Sequence, residues 1–166
     1  MAPDADATLR VRRARPGDAA ALTRIAHAAK RHWRYPEAWI ELWAADLTLS
    51  AGFIDAHPVY AACRGAGIVG LYALSRDGAD VELEHLWVDP PHMGSGIGAL
   101  LFEHATVTAR SLGGATLRIA SDPHAEGFYR RMGARRVGAV ASAPGDRMLP
   151  VLIFDLAVPC ASGRTS

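Results

Sequence analysis

Two short runs of this 166-residue chain concentrate residue types suited to chemistry. The first, VELEHLWVDPPHMGSGIGALLFEHA, covers residues 81–105. Within it, Gly94, Ser95, Gly96, Ile97 and Gly98 form a small-residue loop that opens into an apolar-periodic stretch. A loop of this kind at a helix N-terminus binds anions, because its N–H groups and the positive end of the helix dipole converge on one point. Glycine serves there because a side chain would hold a phosphate off the backbone, and because such loops use φ > 0. Upstream, Glu82 and Glu84 stand two residues apart and share one face of a strand. They are candidates for general-base work, and a solvated sheet face is the competing reading. The second run, DPHAEGFYRRMGA, sets Asp122, Ala125, Phe128, Tyr129 and Gly133 on a capped helix.

The elements that must position these residues follow from periodicity and punctuation. Leu9 and Val11 alternate with arginines as in a strand with one wet face. Pro16-Gly17-Asp18 starts a helix, with Asp18 as N-cap and Leu22, Ile25, Ala26 and Ala29 as its apolar stripe. A second helix is expected over 37–47. Strands at 59–63 and 68–74 flank the Arg64-Gly65-Ala66-Gly67 turn, and Asp77-Gly78 leads into a strand at 81–88. A helix follows the glycine loop and stops at Gly113-Gly114. A short strand at 117–120 precedes Asp122-Pro123, a capping oxygen followed by proline at the first helical position. Strands near 135–140 and 149–156 close the chain. The order β-α-α-β-β-β-α-β-α-β-β predicts an α/β fold with a mixed sheet.

One alternative is a dinucleotide site, since Gly94, Gly96 and Ala99 also satisfy G-x-G-x-x-A. Two features oppose it. A Rossmann loop follows a nearly all-apolar strand directly. Here the strand carries Glu82, Glu84 and His85, and Asp89 to Met93 intervene before the glycines.

Together the two runs resemble the GNAT superfamily of acetyl-CoA-dependent N-acetyltransferases. That family's coenzyme A loop reads Gln or Arg, two residues, Gly, one residue, then Gly or Ala. Met93, Gly96 and Gly98 stand at those positions, with an extra Gly94. Met93 departs from the pattern and removes one side-chain contact, while backbone phosphate binding is kept. The second family signature is matched by Asp122, Ala125, Phe128, Tyr129 and Gly133, with Asp122 replacing the commoner Asn. The two stand about 26 residues apart, as the family expects.

The resemblance implies a mostly antiparallel twisted sheet flanked by helices, and direct acetyl transfer from acetyl-CoA to an amine. It implies that Gly94, Ser95, Gly96, Ile97, Gly98 and Ala99 hold the coenzyme's phosphates. Leu86, Trp87 and Val88 would pair with its pantetheine arm through the backbone, in the manner of an added strand. Met93, Asp122 and Phe128 complete the coenzyme-contacting set. Tyr129 resembles the tyrosine that protonates the leaving thiolate, and a core aromatic is its competing reading. Glu82, eleven residues before Met93, matches a catalytic glutamate of some relatives, whereas Glu84 lies nearer the expected acetyl group. His85 points the other way on a regular strand. His32, Trp33, Tyr35 and Trp39 fall where the family places its variable acceptor wall, and a core role competes for Trp33 and Trp39. Residues 142–150, SAPGDRMLP, are a candidate for a second wall or a homodimer contact.

Bulk composition sets the outer bounds. Half the residues are apolar and the net charge is +1, so no broad field favours nucleic acid or an anionic membrane. That balance and the aromatic helix pair favour a small-molecule amine as the acceptor, over a protein or peptide amine. A catalytically silent acyl-CoA-binding module is the alternative of a different class. Two cysteines, Cys63 in an apolar run and Cys160 in a polar one, suggest no disulfide framework, which fits a cytoplasmic protein. No residue cluster suggests a metal. Residues 8–158 are expected to form one domain, with flexible tails at 1–7 and 159–166.

Overall fold

The computed structural model describes residues 8–157. The tails expected at 1–7 and 159–166 lie outside the described residues. Seven strands and five α-helices occur among the described residues: β1 Leu9–Arg13, α1 Ala19–His32, α2 Glu37–Leu42, α3 Ala51–Ala56, β2 Val59–Arg64, β3 Gly67–Asp77, β4 Asp80–Val88, α4 Ile97–Ser111, β5 Thr116–Ala120, α5 Glu126–Arg131, β6 Arg135–Ser142 and β7 Arg147–Asp155. The sheet is mixed and mostly antiparallel, and helices flank it, as expected. Among the described residues the chain divides into two compact units, one of residues 8–75 and 84–105, the other of residues 76–83 and 106–157.

In the first unit, β1, β2 and β3 form an antiparallel run, with Val11 opposite Ala62 and Ala61 opposite Leu71. Against it packs a core of Leu22, Ile25, Ala26, Ile40, Leu49, Ile54, Val59, Ala61 and Leu71, each no more than 1% exposed. The stripe read on α1 is buried there: Leu22, Ile25, Ala26 and Ala29. Asp18 takes the N-cap position of α1 without capping it. Its carboxylate accepts from Arg12 at 2.8 and 3.1 Å and from the Arg15 N–H at 2.8 Å. A guanidinium outcompetes a helix N–H for that oxygen.

Two local differences from the expected elements have simple causes. The helix expected over 37–47 ends at Leu42 and gives way to turns. An unexpected helix, α3, begins where the Ser50 side chain accepts from the Phe53 N–H at 3.1 Å. Six residues that include Gly52 give too little periodicity to reveal a helix from sequence.

In the second unit, the first residues of β4, then β5, β7 and β6, lie in that order. The β4–β5 pair is parallel, with Val81 opposite Leu117 and Glu82 opposite Arg118. A parallel pair needs a long crossover, which α4 supplies. β7 lies antiparallel between β5 and β6. Val81, Leu117, Leu152 and Ala109 are fully buried. Gly114 is dictated by close approach, since a Cβ there would stand 2.6 Å from Val81 Cγ2.

Candidate active site

Strand β4 ends at Val88, and the chain turns through Asp89-Pro90-Pro91 into the glycine loop. That turn is anchored at Asp89, whose N–H donates to the Val69 carbonyl at 2.9 Å and whose carboxylate accepts from Arg24 at 3.0 Å. The loop is solvent-exposed at Gly94, Ser95 and Gly96. Gly94 and Gly96 adopt φ of +79° and +86°. A Cβ built at either meets nothing within 4 Å, so backbone conformation, not crowding by the chain, calls for glycine. Ser95 Oγ donates to the His92 carbonyl at 2.6 Å and tightens the loop. α4 begins at Ile97, and its first backbone bond runs from the Leu100 N–H to the Gly96 carbonyl at 3.1 Å. The N–H groups of Ile97, Gly98 and Ala99 therefore have no acceptor within the helix. Ile97 itself is buried and fixes the start of the helix.

The residues of β4 alternate in role. Glu84 is exposed, and one of its oxygens accepts from Ser75 Oγ at 2.6 Å. Glu82 is paired with Arg118 at 3.1 Å, both side chains about one-third exposed. His85 meets the Phe53 ring edge-on at 5.9 Å, and its Nδ1 accepts from Trp87 Nε1 at 2.9 Å. Indole N–H only donates, so the imidazole proton sits on Nε2 when the ring is neutral. Burial, more than any neighbouring charge, pushes the His85 pKa below its usual range. His85 is thus a neutral hydrogen-bond donor at Nε2, not a base there. Leu86, Trp87 and Val88 are half-buried and lie beyond the β5 ladder, which is confined to Val81 and Glu82.

In the second unit, Asp122 caps the turn that leads into α5. Its Oδ1 accepts from the His124 N–H at 2.9 Å and lies 2.9 Å from His124 Nδ1. Tyr129 is 6% exposed, with Phe128 edge-on at 5.1 Å. Burial first, and the Asp122 charge second, push the phenol well above its ordinary range, so it stays protonated as a donor. Arg130 pairs with Glu126 at 3.1 Å on the exposed helix face.

The aromatic residues in and around α1 and α2 form one cluster in part. Tyr35 stacks on Trp39 with ring centroids 6.0 Å apart, and Trp43 meets both at 5.1 and 5.8 Å. Tyr35 and Trp39 pack against the core of the first unit. His32 and Trp33 form a separate edge contact at 5.3 Å. The cluster already holds a cation. Lys30 Nζ lies 4.5 Å from the Trp43 ring centroid and 4.9 Å from that of Tyr35, and Lys30 is only 8% exposed. Lys30 was not singled out from the sequence, although it is the sole lysine of an arginine-rich chain. Among the described residues, no three of His, Cys, Asp and Glu come together to hold a metal, and no helix is long and apolar enough to cross a membrane.

A family model for the acetyltransferase (GNAT) domain matches residues 44–151. The chain belongs to the GNAT acetyltransferase family. The match runs through both signature motifs, including the glycine loop and Tyr129. No match was found among curated proteins. Solved structures share the GNAT fold at low identity. The PaiA N-acetyltransferase of Thermoplasma acidophilum, in complex with coenzyme A, is 16% identical, with a TM-score of 0.75 over 89% of this chain and 99% of that one. The protein yncA of Salmonella typhimurium, with its cofactor acetyl-CoA, is 21% identical, with a TM-score of 0.65 over 93% and 99%. The ribosomal-protein-S18-alanine N-acetyltransferase of Escherichia coli is 16% identical, with a TM-score of 0.68 over 95% and 100%.

Proposed function

We propose that this GNAT protein moves an acetyl group from acetyl-CoA to a primary amine of a small molecule by direct attack. The observation that carries the reading is the exposed glycine loop at 94–98, with two left-handed glycines leading into the N-terminus of α4. Residues 94–99 hold the coenzyme's phosphates, with Met93 beside them. The backbone of Leu86, Trp87 and Val88 pairs with the pantetheine arm and supplies a donor to the oxyanion. Asp122 and Phe128 belong to the same coenzyme-contacting set.

The neutral amine attacks the thioester carbonyl carbon, and a C–N bond forms. The tetrahedral intermediate then collapses and the C–S bond breaks. The departing thiolate takes a proton from the Tyr129 phenol, and the ammonium formed on the product gives its proton to a carboxylate, directly or through a water. Glu84 is the better base. Its Ser75 partner is a neutral hydroxyl, whereas one oxygen of Glu82 is held by the Arg118 guanidinium. The carboxylic acid then gives its proton to solvent and the phenol is restored from solvent.

A small acceptor is favoured by the charge balance, which gives no field to gather an acidic or basic macromolecule. The aromatic cluster of α1 and α2 is the proposed acceptor wall.

The test is release of free coenzyme A thiol from acetyl-CoA with panels of amino acids, polyamines, amino sugars and peptides, with product masses measured. The reading predicts release with one small-amine class and a product heavier by one acetyl group. Release with no amine, despite tight acetyl-CoA binding, would favour the silent binding module. Release with peptides alone would overturn the small-molecule acceptor.

A further inference from the structure

The β6–β7 connection brings its arginine inward. Arg147, the first residue of β7, donates from a terminal guanidinium nitrogen to Asp122 Oδ2 at 3.2 Å, and the two side chains are 11% and 7% exposed. The other guanidinium arm reaches Ser142 Oγ at 3.4 Å. The opposite carboxylate oxygen of Asp122 is the one that caps the turn leading to Phe128 and Tyr129. Both oxygens are therefore committed, Oδ1 to the helix start and to the His124 ring, Oδ2 to Arg147.

A carboxylate is not needed for capping. An amide oxygen caps a helix about as well. What Asp122 adds is a buried negative charge on the segment that carries Tyr129. A proton donor beside such a charge releases its proton less readily, because the phenolate formed is repelled. Burying an unpaired carboxylate is also costly. Arg147 lowers both penalties together.

We propose that Arg147 is a positioning residue for acetyl transfer: it orients Asp122 and offsets part of its charge, so that the turn before α5 starts in one geometry and Tyr129 faces a weaker negative field than a bare carboxylate would give. The proposal rests on the reading of Tyr129 as the proton donor. It gives residues 142–150 a role inside the domain, distinct from an acceptor wall or a dimer contact.

The test uses the full chain with Arg147→Met, Arg147→Lys, the double variant Asp122→Asn/Arg147→Met, and Tyr129→Phe. kcat and KM for acetyl-CoA are measured well below each variant's Tm. Arg147→Met is expected to lose about tenfold or more in kcat, from the charge left beside the acid. Arg147→Lys keeps the charge and should retain most of the rate. The double variant keeps a cap and leaves no bare charge, so it should recover most of what Arg147→Met loses. A double variant as slow as Arg147→Met overturns the proposal, as does an Arg147→Met enzyme that loses only Tm. Should Arg147→Met fail to fold, a double variant that folds but turns over far more slowly than Arg147→Lys overturns it equally. A Tyr129→Phe enzyme with wild-type turnover sinks the proton-donor reading and this proposal with it. A slow Tyr129→Phe without the double-variant rescue sinks this proposal alone.

Discussion

Gly70→Ala tests how the glycine loop and β4 are held from beneath. Gly70 lies in β3, and a Cβ added there would stand 2.9 Å from the Trp87 carbonyl oxygen, 3.0 Å from Leu101 Cδ1 and 3.3 Å from Ile97 Cγ2. Leu101 can yield, because its contact is the end of a flexible side chain. The Trp87 oxygen cannot yield without moving β4 by a few tenths of an ångström. Overpacking of this kind costs about 1–3 kcal/mol. At roughly 2–4 °C per kcal/mol for a domain of this size, Tm should fall by about 2–12 °C. The same displacement moves backbone proposed to pair with pantetheine, and Ile97, the first residue of α4. KM for acetyl-CoA should rise about threefold to tenfold, the equivalent of roughly 0.6–1.4 kcal/mol. Gly67→Ala is the matched control, because its nearest contact would be the Arg64 carbonyl at an ordinary 3.7 Å. Differential scanning fluorimetry and initial-rate kinetics read both variants. If Gly70→Ala behaves like Gly67→Ala in Tm and in KM, the close approach under Trp87 does not matter and the reasoning fails.

Three further outcomes follow from the geometry. Gly96→Val forces a β-branched residue to φ of +86° and should weaken acetyl-CoA binding at least about tenfold by calorimetry; unchanged affinity would remove the loop from the coenzyme site. Glu84→Gln should flatten the rise of rate with pH, while Glu82→Gln should keep the profile and cost at most about 1 kcal/mol of stability through its partly exposed pair with Arg118. The opposite pattern would transfer the base to Glu82, and two unchanged profiles would exclude both. His85 is held below its ordinary 6.5 by burial, so the unfolded chain binds this proton more readily than the native state. Stability should therefore fall as pH drops through 6.5, and His85→Gln should reduce that slope in urea titrations between pH 8 and 5; equal slopes would contradict the burial argument.

The parts of the site legible in the sequence are those that local chemistry dictates. Gly94 and Gly96 stand where the backbone needs φ > 0, and Asp122-Pro123 announces a capped turn whose side-chain bond the structure contains. Alternation along β4 likewise set Glu84 apart from His85, which meets Phe53 and Trp87. Contacts fixed by register or by chain return were not legible. Glu82 meets Arg118 only because β4 and β5 pair in parallel at that register. Arg147 reaches Asp122 across 25 residues of sequence, and no local pattern marks it. The aromatic residues near α2 were visible as a cluster, but their enclosure of Lys30 depends on how the chain returns after α1. α3 escaped because its only strong signal is one serine cap.

A thermal-shift titration with acetyl-CoA, with NAD and ATP as controls, tests whether the glycine loop binds acetyl-CoA. A ligand present at 100 times its Kd adds about 2.7 kcal/mol, which is several degrees for a domain of this size. Acetyl-CoA should give such a shift, Gly96→Val should lose it, and NAD and ATP should give none. No shift with saturating acetyl-CoA, or a shift with NAD in its place, would contradict that binding.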